Sequence, residues 1–329
     1  MSGTGGRKRD PEGIAAAIRG AKTIAVCSHV NPDGDTVGCA LAMRLALQHL
    51  GKDVTVFCQD KAPDIMNMLP GFGEFRKPEE NDRIFDLLLA VDVSDPERLG
   101  SVKMLLERCR HTAQIDHHPT NPLYAEVNSV DGKAPAACLL IHEQLKILGV
   151  PLTKEIAMCL YTGISTDTGN FSYSSTNAEA FRAMAELMEA GLPLSRMSSA
   201  LFRERSRAQV LLLGKALGSL RFECGGKVAV MRLTRQDFTD CHALKEHADT
   251  LVNYGLETTG TRMALLARED DDGGIKFSLR AKEPMRVDDI AQLLGGGGHP
   301  LASGLTLHEG LEDAIKTVLQ VMYRKLAEN

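Results

Sequence analysis

The chain has 329 residues, 43% of them apolar and 25% charged, with a formal net charge of −5. That length suits two domains rather than one core. The acidic balance argues against a surface that coats nucleic acid, and leaves room for a short basic pocket gripping a few phosphates. The longest apolar runs, 136–141 and 156–161, are far short of a bilayer span, and no signal peptide is visible, so a cytoplasmic protein with no membrane partner is expected. The eight cysteines include no C-x-x-C pair, and Cys27, Cys39, Cys138 and Cys159 fall in apolar runs, as small buried groups do in a reducing compartment.

Residues 1–10 carry Arg7, Lys8 and Arg9 with no apolar segment behind them and read as a frayed start. A β-rich run, 23–28, ends at His29. Residues 36–50 then have helical spacing, with Gly51 as the stop. Strands are expected at 54–58, 85–91 and 112–115, and helices at 134–148, 154–165 and 177–190. Strands separated by helices imply a mostly parallel sheet covered on both faces. Gly191-Leu192-Pro193 breaks this pattern, and 201–217 reads as a charged connecting helix whose Arg203, Arg205 and Arg207 form a solvated face.

Beyond it, strands at 218–222 and 228–233 are expected to form a hairpin through Gly225-Gly226. Further strands are expected at 262–267 and 275–280, then a short helix at 287–294, a glycine run at 295–298, a strand near 303–307 and a last helix from Leu311. The expected fold class is α/β. Residues 1–195 form the larger parallel-sheet domain, 196–215 the connecting helix or linker, and 216–329 a smaller α/β domain.

The chemistry concentrates at the ends of the first domain's apolar segments. His29-Val30-Asn31-Pro32-Asp33-Gly34-Asp35 follows the first strand, Asp92 follows a very apolar one, Asp116-His117-His118 follows another, and Asp167 comes just after the apolar stretch at 156–161 and its helix. In parallel sheets ligands bind outside the carboxyl ends of the strands. Carboxylates with imidazoles suit hard or borderline divalent ions, Mn²⁺ or Mg²⁺. Two such ions ~3.5–4 Å apart would activate a shared water against phosphorus. A carboxylate at the end of so apolar a strand as that before Asp92 needs compensation, which bridging two cations would supply. His118 is then a candidate contact to the scissile phosphate or leaving group, with Asp116 orienting a neighbouring imidazole.

Each segment alone has a plainer reading. Asp33-Gly34-Asp35 is an ordinary turn sequence, Asp92 and Asp167 could be caps, and the two histidines could face water. Their recurrence at segment ends of one domain weighs against all of these together. Asp95, before Pro96, reads as a helix cap and His111 as a surface residue. Four glycines followed by His299 suit close backbone approach and an anion-binding nest from Gly296, Gly297 and Gly298, and Arg280 sits on the preceding strand.

These residues resemble the four motifs of the DHH phosphoesterase superfamily, with Phe277-Ser278-Leu279-Arg280 and Gly295 to His299 resembling its associated C-terminal domain. Size and motif order resemble the bacterial nanoRNase and pAp-phosphatase group. The resemblance implies one metal on His29, Asp33 and Asp92 and another on Asp35, Asp92, His117 and Asp167, with His118, Arg280 and His299 on substrate. It also implies a Mn²⁺-dependent hydrolase releasing mononucleotides from very short RNA or dinucleotides, and acting on pAp or linear pApA. A homodimer is left open. One departure concerns 133–138, where the group carries a polar pair and this chain has Lys-Ala-Pro-Ala-Ala-Cys. Alternatives are a manganese inorganic pyrophosphatase, whose basic C-terminal motif is missing here, and a catalytically silent nucleotide sensor, which an intact ligand set disfavours.

Overall fold

A strand buried on both faces reads as an unbroken apolar run, and Leu87–Val91 is one, with all five residues buried. The computed structural model describes residues 8–78 and 83–328, in two compact units, Met1–Glu204 and Arg205–Asn329. The first unit runs α1 (Pro11–Gly20), β1 (Thr23–Cys27), α2 (Gly34–His49), β2 (Asp53–Phe57), β3 (Leu87–Val91), α3 (Leu105–Arg108), β4 (His111–Asp116), β5 (Val127–Val130), α4 (Ala137–Leu148), α5 (Lys154–Asp167), α6 (Ala178–Glu189) and α7 (Leu194–Ser198).

Its five strands lie in the order β2-β1-β3-β4-β5, all parallel. Alternate strand residues serve opposite faces. Ile24 and Val26 pack with α1, α2, α4 and α5, while Ala25 and Cys27 pack with the 96–105 segment. Strand order reverses direction at β1: the chain goes to β2 on one side and to β3 on the other. The crevice therefore opens at the carboxyl ends of β1 and β3, where His29 and Asp92 follow.

The second unit runs α8 (Arg207–Gly218), β6 (Arg221–Glu223), β7 (Val228–Leu233), α9 (Arg235–Cys241), α10 (Val252–Leu256), β8 (Met263–Glu269), β9 (Ile275–Ala281), α11 (Asp288–Leu293), β10 (Gly297–His299), β11 (Ala302–Leu307) and α12 (Leu311–Glu328). Its sheet has the order β10-β11-β9-β8-β7-β6 and is antiparallel except between β7 and β8. Helix α12 covers one face and α8 and α10 the other.

Four local expectations are corrected. The connecting helix is broken: α7 passes into a single π turn, Ser199–Arg203, and α8 starts afresh on a Ser206–Gln209 capping box. The glycine run is divided: Gly297 and Gly298 join His299 in an edge strand, β10, while Gly295 and Gly296 form the turn that leads into it. Of the frayed start, residues 1–7 lie outside the described residues, but the Lys8 carbonyl accepts from Val130 N–H and Asp10 N–H donates to Asn128, so 8–10 are tied to β5. Helix α1 and strand β5 were not expected at all. Asp10 caps α1 with Pro11 at its first position, and β5 hides behind Asn128 and Ser129. Among the described residues no helix is long and apolar enough to cross a membrane.

Candidate metal centre

Asp33 is the N-cap of α2: one carboxylate oxygen accepts from Asp35 N–H (3.0 Å) and Thr36 N–H (3.2 Å). That fixes the side chain and leaves Oδ2 3.6 Å from Nε2 of His29. The His29 ring is set by its other nitrogen, whose N–H donates to the Val30 carbonyl at 2.8 Å. Asp92 lies just past β3 in the left-handed region, φ 58°, with its N–H donating to the Ile115 carbonyl. Such a conformation at an Asp is tolerable, and it marks functional sites.

The Asp92 side chain is 2% exposed, and its two oxygens divide. Oδ2 lies 3.7 Å from His29 Nε2, whereas Oδ1 lies 3.5 Å from His117 Nε2 and 3.7 Å from His118 Nδ1. His117 donates Nδ1–H to the Ala134 carbonyl (3.1 Å), and so presents Nε2 to Asp167 Oδ2 at 3.3 Å and to Asp35 Oδ2 at 3.9 Å. Two sets result: His29, Asp33 and Asp92 converge on one point, and Asp35, His117 and Asp167 on another.

Asp35 also serves the start of helix α4, in the segment 133–138. Helix α4 begins on Ala136, which offers no side-chain cap. Asp35 supplies one from α2, accepting from Ala137 N–H (2.5 Å) and Cys138 N–H (3.0 Å). The contact is made by backbone, so it does not show in side-chain identity. Cys39 and Cys138 lie beside it, their sulfurs 3.4 Å apart. Burial pushes both thiols well up, so they stay neutral and are poor candidates for soft metal ligands.

His118 Nδ1 lies 2.7 Å from Asp116 Oδ1, and Asp116 Oδ2 accepts from the buried Asn121 amide at 2.6 Å. The imidazole is thereby held with Nε2 outward. The hydrogen bond to Asp116 raises the His118 pKa; burial works to raise that of Asp116, but His118, Asn121 and His117 together hold it below the usual carboxylate range.

Crowding and burial hold several carboxyls of the cluster above their usual range. Burial, reinforced by Asp35, pushes Asp92 up to about 7. Burial and then the Asp35, Asp92 and Asp33 charges push Asp167 to about 10, and its place at the carboxyl end of α5, the negative end of a helix dipole, adds to the strain. Burial raises Asp35 as well. Burial works against charge on His29, yet Asp33 and Asp92 outweigh it and carry the pKa to about 10. Asp92 Oδ1 is buried with no hydrogen-bond partner. An orphaned carboxylate oxygen among like charges fits divalent cations.

Arg280 and His299 are in the second unit. The register sets Arg280, Ala302 and His299 in one row across β9, β11 and β10, so both side chains share a sheet face. What the glycines approach is β11: a Cβ at Gly296 would overlap the Gly304 carbonyl, and one at Gly298 would meet the Ser303 backbone. Gly297 and His299 are exposed on the sheet edge. Sequence reasoning missed Asn121, which sits in a Thr-Asn-Pro stretch that reads as a turn, and Arg98, whose nearness to His29 is purely spatial.

The model of the DHH family, N-terminal domain, matches residues 23–164, and that of the DHHA1 domain matches residues 213–328. The chain is 32% identical to the bifunctional oligoribonuclease and PAP phosphatase NrnA of Thermus thermophilus, over 95% of this chain and 92% of that one. Among solved structures it resembles an exopolyphosphatase-related protein from Bacteroides fragilis, with TM-score 0.88, 24% identity and 97% of each chain covered. It also resembles RecJ of Thermus thermophilus in complex with Mn²⁺, with TM-score 0.53 and 18% identity over 95% of this chain and 55% of that one. Both family matches, with a relative similar along nearly its whole length, establish that the chain belongs to the DHH family of phosphoesterases and is a hydrolase.

Proposed function

We propose that the protein is a two-metal, Mn²⁺-dependent phosphoesterase that cleaves very short RNA, dinucleotides above all, to mononucleotides and removes a phosphate from pAp. The observation that carries this is the division of Asp92, one oxygen toward the His29 set and the other toward the His117 set. In this reading His29, Asp33 and Asp92 hold one ion, and Asp35, Asp92, His117 and Asp167 the other. When bound, such a pair lowers the pKa of a shared water and neutralises phosphate charge; Mg²⁺ is the alternative ion.

The chain's own groups do the rest. Asp116 orients the His118 ring and favours its protonated form, so Nε2–H is the donor offered to the leaving oxygen. Arg280 and His299 hold a remote phosphate or base; the expected glycine nest contributes less, because the Gly296 N–H is spent on the Ala291 carbonyl at 2.7 Å and Gly297 and Gly298 pair with β11. The name of the Thermus relative supports both substrate classes.

The test is purified protein with Mn²⁺, assayed for mononucleotide and phosphate release from dinucleotides, longer RNA, pAp and pyrophosphate. Turnover of dinucleotides and pAp is expected. Turnover of pyrophosphate alone would make the protein a pyrophosphatase, and tight nucleotide binding with no turnover would make it a sensor.

A further inference from the structure

Arg98 has its backbone fixed and its charge unspent. It follows Asp92 in a 3-10 stretch, Pro96–Met104, whose first turn is capped by Asp95, accepting from Glu97 N–H at 2.8 Å. The Arg98 carbonyl accepts from Val30 N–H at 2.7 Å, which ties this stretch to the His29 loop. Just beyond, Gly100 at φ 58° lets the chain press on Val30 and Gln59, and Ser101 N–H donates to Gln59 Oε1 at 2.8 Å.

The guanidinium Nη2 comes within 3.0 Å of His29 Nδ1. That approach is not a hydrogen bond. The Val30 carbonyl, 2.8 Å away, requires a proton on Nδ1, and a protonated ring nitrogen cannot accept from a guanidinium. No carboxylate among the described residues forms an ion pair with Arg98, although carboxylates crowd its neighbour His29. Its charge is felt at His118 as well, where it opposes protonation. His29 and His118 flank Asp92 on its two oxygens. The guanidinium is therefore an exposed, permanent cation beside His29, with no carboxylate partner among the described residues.

Resting on the phosphoesterase reading above, we propose that Arg98 is a further catalytic residue: it donates to a non-bridging oxygen of the phosphate being cleaved and stabilises the charge that gathers there. Arg280 and His299 would hold the far end of a nucleotide, whereas Arg98 would act on any phosphodiester. A planar fork on a rigid loop suits an oxygen pair on phosphorus, and donors placed where charge develops are worth ~10²–10³ in rate.

The experiment compares wild type with Arg98→Ala, Arg98→Gln and Arg98→Lys, all loaded with Mn²⁺, on pApA and on bis(4-nitrophenyl) phosphate. Bound metal is counted in each. Both alanine and glutamine variants should lose ~10²–10³ in kcat/KM on both substrates with full metal content, and lysine should retain more. Guanidinium chloride at low concentration should restore part of the alanine variant's rate saturably, which a merely structural role does not allow. AMP binding to the Mn²⁺-loaded alanine variant, measured by calorimetry, should weaken about tenfold, a readout that needs no turnover. Wild-type rates and AMP affinity in Arg98→Ala would overturn the proposal. So would loss of metal in step with activity and no rescue, because Arg98 would then be a prop for His29. If wild type cleaves neither pApA nor pAp, the function above falls, while the artificial diester and AMP binding still report on Arg98.

Discussion

Asp92 stores a conflict that a proton or a cation can resolve: a carboxylate buried, in a left-handed backbone conformation, with one oxygen unpaired. A carboxyl whose folded pKa exceeds its unfolded value takes up a proton on folding. Its stabilisation is complete below the unfolded value, 3.8, and is lost as pH rises through the folded one, about 7 for Asp92 and about 10 for Asp167. His29 acts in the same direction, its contribution present below 6.5 and lost as pH rises through about 10. Tm of the protein in a chelator should therefore fall steadily from about pH 5 to about pH 9 in calorimetry. Added Mn²⁺ should oppose that fall and release protons on binding. A flat profile would mean these groups do not meet as described. Asp92→Asn makes the conflict visible, since Asn also tolerates the left-handed region. At about pH 8 it should stabilise the metal-free protein by ~1 kcal/mol or more, yet abolish turnover of every substrate. A variant that keeps its activity would remove Asp92 from the centre.

Helices α2 and α5 deliver Asp35 and Asp167, and they do so by nearly touching backbones. A Cβ at Gly163 would overlap both Asp35 Oδ1 and Cys138 Sγ, and one at Gly38 would lie 2.5 Å from the Cys159 carbonyl. Gly163→Ala should cost ~1–3 kcal/mol in denaturant unfolding and weaken Mn²⁺ binding, because relief requires α5 to back away from Asp35. An unchanged metal titration would show that the ligands tolerate the shift. This packing was not legible in the sequence, where Gly38 and Gly163 stand among apolar residues with no sign of what faces them. The apolar strand before Asp92 was legible, as was the gathering of His29, Asp33, Asp35, Asp92, His117 and Asp167, because burial on both faces and ligand chemistry each restrict residue type. Strand β5 was not, since Asn128 bonds Gln114 and spends its polarity inside the fold. Nor was β10: four glycines carry no strand propensity, and their pairing is set by β11.

For the whole chain, a net charge of −5 limits how many phosphates can be held at once. Activity should fall as RNA grows beyond a few nucleotides, and equal or faster cleavage of long single strands would sink that expectation. Arg280→Ala and His299→Ala should leave metal content intact and lower kcat/KM on dinucleotides sharply, yet spare bis(4-nitrophenyl) phosphate, because an anchored remote end positions the scissile bond. Equal losses on both substrates would mean the second unit does not serve as a separate anchor. Every candidate metal ligand lies between His29 and Asp167, inside one compact unit. The candidate ligands thus form a closed set in the chain, bounded well before the π turn at Ser199–Arg203. Descendants of such a chain can acquire new substrates by exchanging or recutting the stretch beyond that turn, with no ligand placed at risk; selection on specificity and selection on chemistry then act on separate parts of one gene.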